Sequence, residues 1–559
     1  MRDSTGRSCY PQTMAWRIDP RIIVTTSGAA LLLACTDRPA NGDEATASTT
    51  DTTSAATTTG PATTTGDTTD TPTSTSPTTS STGPDPSTST TNTSTTDPVA
   101  TGSTTSATDS TTDTGESTAE PPPVGCNDCD ALWELDGPLI VHPQSDFAAL
   151  QCLGVVHGQM TVTGDLTAQQ LAPLCHLEIV EDSLTIEFNT VLTDLSSFAG
   201  LKDAESLRLW QLPALTAVSG LTSLRNVPRI EISETGATAL GSVGTNYNGF
   251  QYLDLFGNPA LTDVSAIVEW GFHQDPPNSI TIRDHAALTD LSSLEDLFAV
   301  ANSSFSFELQ NAPALTSLAG LGTASNGDIA LYDLPLVTDL QPLSQIQTMG
   351  LHLRNIPLTS LAGLGSLKSG ILWLEDMPLL TSLNGLGPLA KGSVELWRLP
   401  KLGSLEGLEK FATGNISFID LPLVSSLAPL GGFVEADTFT IYGMPLVTSL
   451  TGLDNLGSAH SLSIGDCVNA GTSGMDGLTS LAGLGALTSA TNFTVSNNAK
   501  LTSLSGVGSL SVVSQVLAVI NNPKLPKAAF DALLVQVDEP FNTCFGDWGA
   551  CACFEILPP

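Results

Sequence analysis

Leu358-Thr-Ser-Leu-Ala-Gly-Leu364 and its near copy Leu380-Thr-Ser-Leu-Asn-Gly-Leu386, 22 residues further on, decide the architecture. Related segments flank them: Leu192-Thr-Asp-Leu195, Leu215-Thr-Ala-Val218, Leu261-Thr-Asp-Val264, Leu288-Thr-Asp-Leu291, Leu315-Thr-Ser-Leu318 and Leu501-Thr-Ser-Leu504. The signature recurs about fourteen times between residues 184 and 525, and the steps from Leu318 to Leu427 are 22, 21, 22, 22 and 22. A fixed period of this size means a solenoid. One such unit is too small to bury its own apolar face, and each coil completes the core of its neighbours.

Many repeats carry a second marker, a proline that ends a strand because it cannot donate to a ladder. Four and six positions before it the residues are apolar: Leu209 and Leu207, Leu331 and Ile329, Leu353 and Leu351, Leu374 and Leu372, Leu396 and Val394. Period-two spacing puts these on one face, turned into the coil. The positions three and five before the proline then point outward. The first outward column reads Trp210, Phe256, Gln310, Tyr332, Arg354, Glu375, Trp397, Ile419 and Tyr442; the second includes Arg208, His352, Trp373 and Glu395. Parallel strands stack about 4.8 Å apart, so fourteen or fifteen coils predict a rod roughly 70 Å long.

The ends of such a rod expose core and need caps. Ser145-Asp146 before Phe147-Ala-Ala-Leu150 predicts a short capped helix at one end. Pro526, with Phe530, Leu533, Leu534 and Val537 at helical spacing, predicts a helix that closes the other. Strand, Asn/Pro turn, Leu-Thr-Ser-Leu-x-Gly-Leu and a helix-plus-cysteine cap together resemble the leucine-rich-repeat family. The likeness is to the receptor L-domain type of growth-factor receptor ectodomains and bacterial surface lipoproteins, over about residues 140–540. The resemblance implies a mainly β, elongated leucine-rich-repeat-type β-solenoid of about 14–15 coils with short capping helices. By analogy it implies protein ligands bound through a sheet face. No ligand-binding motif of the family carries over to particular residues here, and the chain is one long run rather than two short lobes.

The repeats do not fill the chain. Arg17, Arg21, the apolar run from Ile22 and Leu32-Leu-Ala-Cys35 resemble a lipoprotein signal with its lipobox, which makes residues 1–35 an export segment and Cys35 the acylated residue. Thr36 in place of an Asp favours outer-membrane or cell-surface anchoring through the lipid. Residues 36–123 are rich in Thr, Ser and Pro, with too little apolar surface to offset the entropy of ordering, and read as a disordered stalk. Residues 124–182 then form the cysteine-containing cap and first coils, 183–525 the solenoid, and 526–559 the capping helix and cysteine-rich tail. The chain has 19 basic and 57 acidic residues, a net charge of −38. That excludes phosphate-backbone binding and favours solubility and cationic partners.

Apart from Cys9 and Cys35 there are eight cysteines: Cys126, Cys129, Cys152, Cys175, Cys467, Cys544, Cys551 and Cys553. An even number clustered at the ends of an exported domain reads as disulfides, with Cys152–Cys175 the expected pair. Cys126-x-x-Cys129 and Cys551-x-Cys553 allow metal instead, although no His stands at ligand spacing beside them. No metal or cofactor is expected.

The candidate ligand-binding residues are Trp210, Phe256, Tyr332, Arg354, Trp373, Trp397 and Tyr442 on the outward columns, and Trp270 in an irregular loop. Two spacings are long, 27 residues from Val264 to Leu291 and 31 from Leu450 to Leu481, and insertions in solenoids emerge as loops that often bind. Aromatics interleaved with carboxylates suit a protein or glycan partner, although strands favour aromatics in any case. No nucleophile elbow, phosphate loop or metal motif is present in the sequence. Glu375, Asp376 and Glu395 are the nearest approach to a carboxylate site of the kind glycan-cleaving β-helices use. The reading is a non-enzymatic, surface-tethered recognition protein. The alternatives are a structural spacer or a polysaccharide-acting enzyme.

Overall fold

The computed structural model describes residues 128–271, 277–300, 304–324, 327–465, 474–538 and 540–546, all within the unit Asp113–Pro559. The proposed signal, Cys35 and the stalk lie outside them. The 20 described strands form one sheet, and the pairings are parallel throughout. From Ile179–Glu187 onward each strand pairs with that of the next coil, through Asp203–Leu212 and Arg229–Thr235 to Val512–Ile520 and Asn542–Gly546. This is a leucine-rich-repeat-type β-solenoid. At the N-terminal end the sheet forks. The start of Ile179–Glu187 pairs with Leu153–His157 and its end with Met160–Thr163; Trp133–Asp136 and Leu139–Val141 extend the two branches. The fork takes four of the 20 strands, and the remaining 16 slightly exceed the expected coil number.

The repeat signature is chemistry of the coil. Its leucines are core: Leu358, Leu361, Leu364, Leu380 and Leu383 are all 0% exposed. The third position, Ser or Asp, caps the backbone two residues on. Ser317 Oγ accepts from Ala319 N at 3.1 Å, Ser404 Oγ from Glu406 N at 3.1 Å, and Asp290 Oδ1 from Ser292 N at 2.8 Å. The threonine reaches back one coil, as when Thr381 Oγ1 donates to Thr359 O at 3.2 Å. The glycine has no substitute. Gly452 sits at φ +114°, and a Cβ there would lie 2.1 Å from Leu427 O of the preceding coil.

After most strands the chain turns through a left-handed residue, commonly Asp or Asn: Asp284, Asn311, Asp333, Asn355, Asp376 and Asp420 have φ between 52° and 62°. Short polar side chains tolerate this region. Phe188, Gln211 and Arg398 occupy it as well, each at φ 53°. The next residue points inward. In early coils it is polar, as with Asn189, Thr235, Asn258 and His285, and in the middle coils it becomes Leu334, Ile356, Met377, Leu399 and Leu421.

Both caps contain the expected helices. Asp146 accepts from Ala148 N and Ala149 N at the head of the 3-10 helix Phe147–Leu150. At the far end Lys527–Gln536 buries Phe530 and Leu533, and Gln536 Nε2 donates to Val507 O and Leu510 O at 2.7 Å each. That helix does not finish the sheet, because Asn542–Gly546 adds one strand beyond it. The disulfide differs from expectation: Cys152 bonds to Cys129, not Cys175. Trp133 pairs with Leu153 in the fork, which brings the two half-cystines to a Cα separation of 5.8 Å. Cys175, after the 3-10 helix Ala172–Leu174, and Cys544 are in disulfides too. Cys126, Cys467, Cys551 and Cys553 lie outside the described residues. Among the described residues no helix is long and apolar enough to cross a membrane.

Candidate functional site

Strand register assembles the outward columns. Across the sheet Trp210 adjoins Ser233, Phe256, Arg283, Gln310, Tyr332, Arg354, Glu375, Trp397, Ile419 and Tyr442 in turn. The second column runs from Arg208 and Glu231 through Ala330, His352, Trp373, Glu395 and Ser417. The face is open up to about Tyr442. Further on, Thr494 and Ile520 in the same columns are at most 7% exposed, while Ser463 stays half-buried.

Two aromatic clusters stand on this face. In the middle, His352 meets Trp373 at 5.3 Å and Trp373 meets Trp397 at 5.0 Å, their planes tilted by 63° and 60°. Trp397 Nε1 donates to Ser417 Oγ at 2.9 Å, while Trp373 Nε1 has no hydrogen-bond partner among the described residues. Burial holds the His352 imidazole below the usual histidine range, so it is neutral at pH 7. Nearby, the Arg354 guanidinium lies 4.5 Å over the Tyr332 ring. Burial, then the Glu308 charge, push the Tyr332 phenol up. The second cluster lies toward the N-terminal end: Phe188 packs on Trp210 at 4.6 Å, and Arg208 lies 4.6 Å over the same indole. Seven strand spacings separate Trp210 from Trp373, roughly 34 Å.

The arginines Arg208, Arg283, Arg354 and Arg398 on or beside the face are ion-paired. Arg208 Nε bonds Glu231 at 3.0 Å, and Arg283 holds Glu308 through two bonds of 2.7 and 2.9 Å. Arg398 clasps Asp376 at 2.7 and 2.9 Å and also bonds Glu375. That clasp holds the Asp376 carboxyl below its ordinary range. The three carboxylates considered for chemistry therefore do not converge. Glu375 and Asp376 serve Arg398, and Glu395 accepts from Ser393 at 3.2 Å. Among the described residues no group of three or more His, Cys, Asp or Glu is placed to hold a metal ion.

Of the candidate residues, Tyr332, Arg354, Trp373 and Trp397 come together, Trp210 joins the other cluster, and Phe256 stands apart at 44% exposure. Tyr442 marks the C-terminal edge of the open face. Trp270 is no surface residue. It ends the helix Ala266–Gly271, is 0% exposed and donates from Nε1 to Gly241 O at 3.1 Å. The long spacing supplies a helix that buries its aromatic. The rest of that loop, 272–276, and 466–473 of the other insertion lie outside the described residues. Phe188, Glu231 and Arg283 were missed because their coils lack the strand-ending proline. The alternation in Arg229-Ile-Glu-Ile-Ser and Ser279-Ile-Thr-Ile-Arg carried the signal.

Comparison with known proteins adds little to this. No known family profile matches the chain, and no curated protein sequence matches it. Among solved structures, an internalin (inlF) from Listeria monocytogenes str. 4b F2365 is similar at 13% identity and a TM-score of 0.26, over 69% of this chain and 86% of that one. The fold rests on the strand ladder itself.

Proposed function

We propose that this chain is an exported, lipid-tethered recognition protein. Cys35 carries the anchor to the outer membrane or cell surface, residues 36–123 act as a tether, and the open sheet face binds a protein or glycan without catalysis. The observation that carries this reading is the half-buried cluster of His352, Trp373 and Trp397, with Arg354 over Tyr332, on an otherwise regular sheet. Large rigid aromatics beside a stacked arginine are the residue types that anchor interfaces. The carboxylates nearby are committed to arginine or serine, which disfavours acid–base work. The Cys129–Cys152 disulfide and the disulfide-bonded state of Cys175 and Cys544 fit an oxidising, extracytoplasmic location. A receptor L-domain likeness agrees with such a role by analogy alone.

The test is a combined glycan and protein array probed with the wild-type protein and with Trp397→Ala. Saturable binding lost in the variant supports the reading. Binding that survives moves the site to the loops, and no binding to any target favours a structural spacer.

A further inference from the structure

Cys175 is disulfide-bonded, as Cys544 is. Its partner is neither Cys129 nor Cys152, which hold each other. Nor is it Cys544, whose strand Asn542–Gly546 lies fifteen strand spacings from Ile179–Glu187, roughly 72 Å. Cys126, Cys467, Cys551 and Cys553 remain in the repeat domain and its ends. Cys467 follows Ser458–Ile464, twelve spacings and roughly 58 Å away. Cys551 and Cys553 trail Cys544 by seven and nine residues, at most about 32 Å of extended chain. Cys126 precedes Cys129 by three residues, about 10 Å when extended, and Cys129 is 5.8 Å from Cys152 between Cα atoms. The 3-10 helices just ahead of Cys152 and Cys175, Phe147–Leu150 and Ala172–Leu174, pack on each other, so these two cysteines occupy adjacent coils. Of the four, Cys126 alone can reach the Cα separation of about 4.4–6.8 Å that a disulfide requires.

The position of this bond gives it a task. Cys126 is where the stalk enters the domain, and the next element, Trp133–Asp136, is an edge strand paired with Leu153–His157. Tension arriving along a tether would act on that short strand first and open its ladder bond by bond. Cys129–Cys152 alone passes the load to Leu153–His157, still within one branch of the fork. A bond to Cys175 passes it to the segment that leads into Ile179–Glu187. That strand carries both branches and continues into the ladder with Asp203–Leu212. We infer that Cys126 is bonded to Cys175, and that this crosslink, resting on the tether proposed above, carries tension past the fork into the regular solenoid. The bond forms by thiol–disulfide exchange: the two thiols lose their protons and join, while a protein disulfide of the export compartment is reduced to a dithiol.

The test starts from the exported full chain, extracted in detergent with its free thiols alkylated. Cleavage before aspartate, at Asp128, Asp146, Asp165 and Asp182 among others, puts Cys126, Cys129, Cys152 and Cys175 on four separate peptides. The mass spectrum should show peptide 113–127 joined to 165–181 and parted by reduction. Alkylated Cys126, Cys175 joined to any other peptide, or a chain that runs as a reducible dimer would overturn the inference. The clamp is read by stretching the chain from end to end in an optical trap. The proposed bond holds 49 residues out of the stretched chain, whereas Cys129–Cys152 alone holds 23. Cys126→Ser/Cys175→Ser should therefore extend roughly 90 Å further and yield first at a lower force than the wild type. Equal extension, or an equal first yield force, would overturn the clamp. Fatty-acid labelling reads the anchor separately: Cys35 without lipid removes the tether and with it the clamp's task, while the peptide map still decides the bond.

Discussion

Replacing Asn258 by alanine strikes a point where one side chain closes three hydrogen bonds between coils, two of them to backbone groups. Asn258 is 1% exposed; its Oδ1 accepts from Thr235 N at 3.0 Å and Thr235 Oγ1 at 2.7 Å, and its Nδ2 donates to Ile232 O at 2.9 Å. Thr235 is itself 2% exposed, so water cannot take over. Two orphaned buried donors at about 1–3 kcal/mol each give a loss of roughly 2–6 kcal/mol, with the carbonyl adding less because its strand partner remains. In a solenoid the loss is felt by the coil and its neighbours first. The assay is urea denaturation of wild type and variant, together with hydrogen exchange at the Thr235 amide. Exchange there should accelerate by a factor matching the lost free energy. Thr235→Val, which deletes one of the two donors, should recover part of the loss in the double variant, because the two side chains act as a unit. A loss below about 0.5 kcal/mol with unchanged exchange at Thr235 would refute the reasoning.

Other expectations concern charge and backbone. His285 is fully buried, with Nδ1 against Asn258 O at 3.0 Å. Burial lowers its pKa, so below the ordinary histidine value of 6.5 the unfolded chain takes up a proton that the folded chain refuses, and stability falls as pH falls. His285→Leu, which copies the apolar middle coils, should flatten the denaturation midpoint between pH 7 and about pH 5; an unchanged slope would contradict this. His157 behaves oppositely. Hydrogen bonds that its ring nitrogens donate to Glu134 at 3.1 Å and Glu181 at 2.9 Å raise its pKa, so its contribution to the N-terminal fork is present at low pH and is lost as pH rises through the raised value. His157→Gln should abolish that component, read as hydrogen exchange in Trp133–Asp136 across pH 6 to 8. Gly452→Ala should cost about 2 kcal/mol or more through its left-handed φ and the Leu427 carbonyl, whereas Gly403→Ala, which meets nothing within 4 Å, should stay within about 0.5 kcal/mol.

The coil was legible because its period, its inward leucines and its glycine are all dictated by stacking. Leu358, Leu361 and Gly363 each have one place where they fit. The outward columns were legible wherever a proline gave the count an origin, which is why Trp373 and Trp397 could be placed while Arg283 and Phe188 could not. Trp270 was misplaced for a definite reason. An extra stretch between repeats can form a helix that turns its aromatic inward, and the spacing alone does not distinguish this from an exposed loop. The disulfide was missed because strand Trp133–Asp136 pairs beside Leu153, a contact with no marker in the repeat pattern.

The central claim is that recognition happens on the open face around Trp373 and Trp397. Its most direct test is an equilibrium titration of a ligand identified on the array against wild type, Trp373→Ala and Trp397→Ala, with circular dichroism confirming that the coil is intact. The account predicts a loss of about thirtyfold or more for each variant, the scale of a buried aromatic anchor at an interface. Affinities unchanged in two folded variants would contradict it.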